Sequence, residues 1–243
     1  MKTYLDKNVY EAALERIAYC FQEFDNVLVA FSGGKDSGVL LNLCYNYADE
    51  HGLLDKLTMY HLDYEAQYQM TTEYVTRTFL EQFPGIRKMW YCVPIKAQSA
   101  CALGEPYWPP WDAAKKKLWV RAMPENPYVV HEGNLDVPFR HGMVDYEFQD
   151  KLSRHFAKKR GTTAVMVGLR ADESLNRYAA VARGKKRRSY EGRKWITQTS
   201  AVTANVYPLY DWRVSDIWTA TARFGFDYNR LYDLLYQAGL TAG

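Results

Sequence analysis

The sequence predicts an α/β fold built around a parallel sheet, and three observations carry that prediction. Short apolar runs alternate along the chain with segments of helical periodicity. The run at 27–31 is apolar throughout, as expected of a strand that is buried on both faces. A glycine-containing turn joins the first strand directly to a helix. Alternation of this kind favours parallel strands connected by right-handed helical crossovers.

The N-terminal part of the chain is predicted to alternate helices and strands. Apolar residues recur at helical spacing near the start, at Val9, Ala13, Ile17 and Phe21. The predicted elements, in order, are a helix over 7–24, a strand over 27–31, a helix through 39–47, a strand over 57–62, a helix over 69–82 and a strand over 88–93. Pro94 ends the last of these strands.

Regular patterning fails between residues 97 and 145. Prolines interrupt this stretch repeatedly, at Pro106, Pro109, Pro110, Pro124, Pro127 and Pro138. So long an irregular segment in a compact domain is usually either functional or a small insert. Its aromatic residues indicate that it packs against the rest of the protein. Two interpretations stand for Trp108 and Trp111: they line a ligand pocket, or they only pack the insert.

Regular patterning returns after the insert. The predicted elements are a helix over 146–159 that ends at Gly161, a strand over 162–168, a charged loop to about residue 193, a β-rich segment over 195–206 and helices over 214–223 and 229–237. We therefore expect a single domain over residues 1–243. It would contain the irregular, aromatic-rich insert at 97–145 and a helical C-terminal segment at 207–243.

Composition disfavours several classes of protein. The net charge is only +3, so the overall charge does not demand a polyanionic partner. No apolar run approaches membrane-spanning length and the first six residues lack a signal-peptide pattern, so we expect no membrane association and a cytoplasmic location. Cys20, Cys44, Cys92 and Cys101 form no CxxC pair, and we expect neither a zinc site nor an iron–sulfur cluster.

The strongest functional signal is the sequence Ser-Gly-Gly-Lys-Asp-Ser at residues 32–37, between a predicted strand and a predicted helix. Adjacent glycines let the backbone turn tightly and approach a ligand closely. The helix that follows directs its free N–H groups and its positive dipole end at the loop. The residues expected to hold phosphate oxygens are Ser32, Gly33, Gly34, Lys35 and Ser37.

Asp36 places an acid beside this predicted phosphate site. Carboxylates in such a position often help hold magnesium, which bridges acid and phosphate oxygens, so we expect magnesium here. The loop differs from a Walker loop, which has four residues between its glycines and then lysine and serine or threonine, and from the dinucleotide pattern GxGxxG. A glycine-rich turn without a ligand is the alternative interpretation.

The sequence of residues 32–37 resembles the PP-loop of adenine-nucleotide alpha-hydrolase-like proteins. That superfamily includes ATP pyrophosphatases, the small subunit of ATP sulfurylase and phosphoadenosine phosphosulfate (PAPS) reductases. The resemblance implies a parallel five-stranded sheet flanked by helices. It also implies ATP or a related adenine nucleotide above the carboxyl ends of the strands, as is general for open α/β sheets.

Acids also follow the second predicted strand, at Asp63 and Glu65. In a parallel sheet this strand ends at the same edge as the phosphate loop, so these acids could hold ribose hydroxyls or a metal. The alternative is that they are solvated loop acids. We interpret His61 as a packed strand residue rather than a base.

A second motif ends the fourth predicted strand. Gly168 permits close approach of a ligand, and Arg170 and Arg177 can grip phosphate oxygens. Together with Glu173 they resemble the second motif of the PAPS reductase-like group, a Gly-x-Arg followed by an acidic residue, serine and a later arginine. The alternative is a charged turn and helix cap.

Basic residues concentrate at 183–194, where seven lysines and arginines accompany one acid. Three interpretations stay open: a mobile lid that closes on the phosphates, a disordered surface loop, or a contact with nucleic acid through its phosphates.

Longer segments, at 90–94, 106–108 and 117–121, resemble a phage- and prophage-associated branch of PAPS reductase-like proteins that contains the immunoglobulin-binding-regulator coactivator. This resemblance implies a ParB/sulfiredoxin-like protein partner. True PAPS reductases use a nucleophilic cysteine near the C-terminus, whereas the last cysteine here is Cys101. We therefore do not expect sulfonucleotide reduction.

The leading hypothesis is cleavage of ATP to AMP and pyrophosphate to activate an acceptor. Lys35, Arg170 and magnesium near Asp36 would stabilise charge on the leaving phosphates. The alternative hypothesis is a non-catalytic nucleotide-binding regulator or transcriptional coactivator.

Overall fold

The computed structural model describes residues 6–98, 104, 106–182 and 189–240. Its helices are α1 (Val9–Glu23), α2 (Lys35–Glu50), α3 (Gln69–Glu81), α4 (Asp145–Arg160), α5 (Leu175–Ala182), α6 (Val214–Phe224) and α7 (Leu231–Gln237). Its strands are β1 (Asn26–Ala30), β2 (Leu57–Leu62), β3 (Arg87–Cys92), β4 (Ala97–Gln98), β5 (Tyr107–Trp108), β6 (Val129–His131), β7 (Thr163–Val167), β8 (Ser189–Tyr190), β9 (Arg193–Gln198) and β10 (Thr203–Val206). Short 3-10 helices cover Leu54–Lys56 and Ala113–Leu118.

The main sheet has eight strands in the order β6-β3-β2-β1-β7-β10-β9-β8. The first six strands in this order, from β6 through β3, β2, β1 and β7 to β10, are parallel to one another. Strand β9 pairs antiparallel with β10, and β8 pairs antiparallel with β9. The predicted α/β class with a mostly parallel sheet is confirmed. The expected number of five strands is wrong, because the insert adds β6 at one edge and a short antiparallel ribbon extends the other.

Helices cover both faces of the sheet, and the alternation of side chains along β1 shows why. Val27 and Val29 pack into a core that includes apolar residues of α1, α2, α3 and α6. Leu28 points to the opposite face and packs with α4 and the insert. A strand buried on both faces is therefore apolar at successive positions, which is the pattern of residues 27–30 in β1.

The parallel register brings the carboxyl ends of three central strands to one edge. Ala30 of β1 is the partner of Tyr60 in β2 and of Val167 in β7. The segments that follow these strands therefore emerge side by side, and they contain the motifs at 32–37, 63–65 and 168–177.

Two regions differ from the sequence-based expectation. Helix α5 lies in the stretch predicted as a charged loop; Leu175 and Tyr178, which follow helical spacing, are both exposed, while Val181 is buried. The insert contains the short strands β4, β5 and β6. Among the residues described, no helix has both the length and the apolar character that crossing a bilayer requires.

Candidate functional site

The phosphate loop turns sharply between β1 and α2, and Gly33 makes that turn. Its φ is +79°, a left-handed conformation that favours glycine. A Cβ at this position would lie 2.8 Å from Cγ2 of Val75 in α3. Gly34 is the N-cap of α2, and no side chain caps that helix end. The loop sequence therefore fits the backbone geometry that it has to adopt.

Amide groups at the start of α2 are available to an anion. Asp36 and Ser37 donate their backbone N–H groups to no acceptor within the described part of the chain. The Gly34 N–H lies 3.3 Å from Oγ of Ser32, and the Lys35 N–H donates to the hydroxyl of Tyr232 at 3.4 Å. Unpaired amides at a helix N-terminus are the standard elements of a phosphate site.

The two serine hydroxyls hold the loop in shape. The Ser32 N–H donates to Oγ of Ser37 at 3.2 Å, and Oγ of Ser37 lies 3.0 Å from the carbonyl oxygen of Gly34. The two hydroxyl oxygens are 3.0 Å apart. These side chains therefore fix the conformation of the loop as well as facing the cleft beside it.

A cleft of about 430 Å³ opens beside the loop at the carboxyl edge of the sheet. This volume lies within the range of roughly 300–1,000 Å³ that is usual for ligand pockets. The predicted site residues that line it are Ser32, Gly34, Lys35, Asp36, Ser37, Gly168, Glu173 and Arg177. The other lining residues are Ala30, Phe31, Tyr60, Leu62, Tyr64, Gln149, Val167 and Tyr232. The structure thus brings together predicted residues from two separate sequence motifs, 32–37 and 168–177.

Lys35, Asp36 and Arg170 form one charged cluster. The Lys35 side chain is 5% exposed, and its Nζ lies 3.2 Å from Oδ2 of Asp36. Nε of Arg170 donates to Oδ1 of Asp36, and Nη1 donates to Oδ1 of Asp172 at 2.5 Å. Arg170 is only 1% exposed and does not line the cleft. Its contact with the site therefore runs through Asp36.

The expected magnesium ligand does not fit this arrangement. Each carboxylate oxygen of Asp36 is already paired with a cation, Oδ1 with Arg170 and Oδ2 with Lys35. Within the described residues, no group of three or more His, Cys, Asp or Glu side chains could hold a metal ion. We therefore derive no step through a metal held by these residues.

Gly168 marks the contact between β7 and the phosphate loop. A Cβ there would lie 2.9 Å from the Ser37 amide nitrogen and 3.0 Å from the Asp36 carbonyl carbon. At the rim of the same cleft, Arg177 pairs with Glu173 at 3.1 Å. The second motif thus supplies both the close backbone contact and a cation beside the loop.

Asp63 lies outside the cleft, in contrast to the ribose-binding role that its position suggested. It is fully buried, and its Oδ2 accepts a hydrogen bond from Nε1 of Trp90 at 2.7 Å. Its Oδ1 accepts from Nη2 of Arg121 at 2.5 Å and from the Glu65 N–H at 2.8 Å. Asp63 therefore connects the end of β2 to β3 and to the insert.

Glu65 continues this connection. Its φ is +65°, and its carboxylate accepts from the backbone N–H groups of Trp111 at 2.9 Å and Val120 at 2.8 Å. Trp111 is buried and donates its Nε1–H to the Asp63 carbonyl at 2.9 Å. Neither Trp111 nor Trp108 lines the cleft. Of the two interpretations, the structure supports packing of the insert.

The described thiols are poor candidates for nucleophiles. Cys20, Cys44 and Cys92 are free and buried, and burial raises the pKa of each thiol. Cys101 lies outside the described residues. His61 is also buried; burial lowers its pKa and its Nδ1 lies 2.8 Å from the Phe31 carbonyl oxygen, which agrees with a packed strand residue.

The basic stretch is described only from residue 189 onward, and residues 183–188 lie outside the described part. Arg193 stacks its guanidinium over the Tyr19 ring at 4.0 Å and pairs with Glu191 at 2.7 Å. Tyr190 donates to the Glu23 carboxylate. The described portion thus packs against α1, away from the residues that line the cleft.

Sequence reasoning missed Tyr232, which lines the cleft from α7. It lies 197 residues from Lys35 along the chain, and no local motif surrounds it. The sequence contains no signal that would have predicted Tyr232 as a cleft residue, because its contact with Lys35 depends on how the C-terminal segment packs.

Comparisons with known proteins show which proteins this chain is similar to. The uncharacterized protein YbdN of Escherichia coli strain K12 is 34% identical over 239 residues; the match covers 97% of this chain but 57% of that protein. The chain therefore spans little more than half the length of this relative. The crystal structure of PAPS reductase from Candida auris shares 15% identity and has a TM-score of 0.50, covering 96% of this chain and 93% of that one, which is a likeness of fold.

A family model assigns the chain more specifically. The phosphoadenosine phosphosulfate reductase domain matches residues 26–238, from the first strand of the sheet to the last helix. That match includes the phosphate loop, the Gly168–Arg177 motif and Tyr232. The chain therefore belongs to the phosphoadenosine phosphosulfate reductase domain family.

Proposed function

We propose that this chain binds an adenine nucleotide in the cleft, with ATP as the first candidate. The observation that carries the proposal is that unpaired amides of α2, the Lys35 ammonium group and Arg177 face one cavity. That cavity also has apolar walls from Leu62 and Val167, against which a base can pack. A triphosphate would complete the hydrogen bonds that the Asp36 and Ser37 amides lack.

The proposed reaction breaks ATP between its α- and β-phosphates. A nucleophilic oxygen of an acceptor bonds to the α-phosphorus, and the bond to the oxygen that bridges to the β-phosphate breaks. Pyrophosphate leaves with the electron pair, and the acceptor carries AMP; any proton on the acceptor oxygen passes to solvent. The amides of the loop and Lys35 would stabilise the charge on pyrophosphate.

Asp36 and Arg170 have supporting roles in this proposal. Asp36 holds Lys35 by an ion pair, and Arg170 in turn holds Asp36. Arg170 is therefore a positioning residue, because it reaches the nucleotide only through the Asp36 carboxylate. A fixed lysine loses less side-chain entropy on binding than a mobile one.

Sulfonucleotide reduction is the activity that the family name suggests, and it requires a thiolate. In the part of the chain that the structure describes, the three cysteines are buried away from the cleft with raised pKa values. These thiols do not support reduction. ATP cleavage needs no nucleophile from the protein, since the acceptor supplies one.

Product analysis with labelled ATP tests the reaction. We expect calorimetric binding of ATP and, with carboxylate acceptors, release of pyrophosphate together with an acceptor that carries AMP, rather than ADP and phosphate. Tight ATP binding without any turnover would favour the nucleotide-binding regulator instead. Preferential binding of PAPS over ATP would contradict the choice of nucleotide.

Gly33→Ala should weaken ATP binding by more than about tenfold. The substitution places a Cβ 2.8 Å from Val75 and forces alanine to a φ of +79°, which costs roughly 1–2 kcal/mol before any contact is counted. Titration calorimetry measures the loss. Gly52→Ala is the matched control, because its φ is +66° but nothing lies within 4 Å of its added Cβ. An equal loss of ATP affinity in both variants would show that the loop conformation is not the cause.

A further inference from the structure

The C-terminal helix α7 contributes one side chain to the cleft, that of Tyr232. The Tyr232 hydroxyl oxygen accepts a hydrogen bond from the Lys35 backbone N–H at 3.4 Å. The Lys35 ammonium group lies 5.0 Å from the centre of the Tyr232 ring. Tyr232 thus contacts both the backbone and the side chain of the residue that begins α2.

The hydroxyl proton of Tyr232 is left free by this arrangement. A phenol can accept one hydrogen bond and donate another at the same time. Tyr232 accepts from the Lys35 amide, and no described residue accepts its proton. A hydroxyl that accepts from an amide at a helix N-terminus is polarised toward donation, because hydrogen bonds in series strengthen each other.

We propose that Tyr232 is a further phosphate-binding residue, whose hydroxyl donates to an oxygen of the nucleotide's phosphate chain. In this arrangement the hydroxyl is one further hydrogen-bond donor beside the amide donors at the start of α2. This inference rests on the proposed function, since it names one more contact within the same nucleotide site.

The position of Tyr232 is fixed before any ligand arrives. Asn229 is buried, and its Nδ2 donates to the Gly33 carbonyl at 3.2 Å and to Oγ1 of Thr71 at 2.9 Å. Its Oδ1 accepts from the Leu231 N–H at 3.0 Å, at the first residue of α7. Asn229 therefore fastens the start of α7 to the phosphate loop itself. A donor held in place in this way loses little entropy when it binds.

Packing on Trp218 offers a matched pair of tyrosines. Tyr232 and Tyr228 both pack edge-on against the Trp218 ring, with centroids 5.6 Å and 5.4 Å away. The Tyr228 hydroxyl donates to Asp233 at 2.9 Å, and Tyr228 does not line the cleft. Replacing either tyrosine with phenylalanine keeps its ring, and only Tyr232→Phe removes a hydroxyl from the cleft.

The test compares Tyr232→Phe with Tyr228→Phe by titration calorimetry, using ATP, pyrophosphate and adenosine. We expect Tyr232→Phe to weaken binding of ATP and of pyrophosphate by the same factor, about two- to tenfold, as for the loss of one hydrogen bond. Adenosine binding should not change in either variant, and Tyr228→Phe should bind all three ligands as the wild-type protein does.

Unchanged ATP and pyrophosphate affinity in Tyr232→Phe would overturn the inference. Tighter binding would also overturn it, because it would mean that the hydroxyl competes with the ligand for the Lys35 amide. A parallel loss in Tyr228→Phe would also overturn it, because the effect would then come from the position of α7 rather than from a hydroxyl in the cleft. If the wild-type protein binds neither ATP nor pyrophosphate, the proposed function fails as well, which separates the two conclusions.

Discussion

Gly168→Ala should weaken ATP binding by more than about tenfold and lower the free energy of unfolding by roughly 1–3 kcal/mol, as overpacking does elsewhere. The added Cβ would lie 2.9 Å from the Ser37 amide nitrogen and 3.0 Å from the Asp36 carbonyl oxygen. Both neighbours are backbone atoms, so no side chain can rotate to make room. Calorimetry with ATP and unfolding in urea measure the two effects.

Neither β7 nor the start of α2 can shift easily to relieve this contact. Strand β7 is hydrogen-bonded to β1 on one side and to β10 on the other. The start of α2 is joined to β1 through the four residues of the loop, 31–34. The strain should therefore fall on the amides of Asp36 and Ser37, which are the groups expected to bind phosphate.

Gly104→Ala is the control for Gly168→Ala. Among the described residues, nothing lies within 4 Å of a Cβ built at Gly104, and its φ does not fall in the left-handed range. This variant should match the wild-type protein in both measurements. If Gly168→Ala bound ATP normally while losing stability, the contact between β7 and the loop would serve the fold alone.

Local chemistry explains why the loop and the central strands could be predicted. Residues 32–37 contain the turn, the start of the helix and the lysine within six positions. Strand β2 is buried along its whole length, and β1 is buried at every position except Ala30. The same holds for Gly168 and Arg177, which follow a buried strand. Signals of this kind need no knowledge of distant residues.

Contacts between distant residues explain most of what the sequence could not predict. Asp36 and Arg170 were each expected to act on phosphate or metal, yet they pair with each other across 134 positions of the chain. The partner of Asp63 in the insert, Arg121, is 58 residues away, and Tyr232 is 197 residues from Lys35. A single sequence places each polar residue near an edge of the sheet without assigning its partner.

Asp63→Ala should lower the free energy of unfolding by about 3–5 kcal/mol, the usual cost of removing one member of a buried ion pair. Asp63 is 0% exposed, and the substitution leaves the Trp90 indole N–H and the Arg121 guanidinium without their carboxylate. It also removes one of the connections between the end of β2 and the insert, the pair with Arg121. Urea unfolding followed by tryptophan fluorescence measures the loss, and Asp55→Ala, at an exposed acid, should change stability by less than about 0.5 kcal/mol.

Asp63→Asn separates the structural role of this residue from the ribose-binding role that its sequence position suggested. The amide keeps the volume and one oxygen acceptor, so the variant should fold with a smaller loss of stability than Asp63→Ala. Because Asp63 does not line the cleft, the folded variant should bind ATP and adenosine as the wild-type protein does. Reduced binding of both ligands at nearly unchanged stability would instead place Asp63 at the ribose. The contacts of the buried Asp63 side chain with Trp90 and Arg121 favour the first result. A carboxylate that already accepts from an indole, a guanidinium and a backbone amide has little capacity left for a ligand.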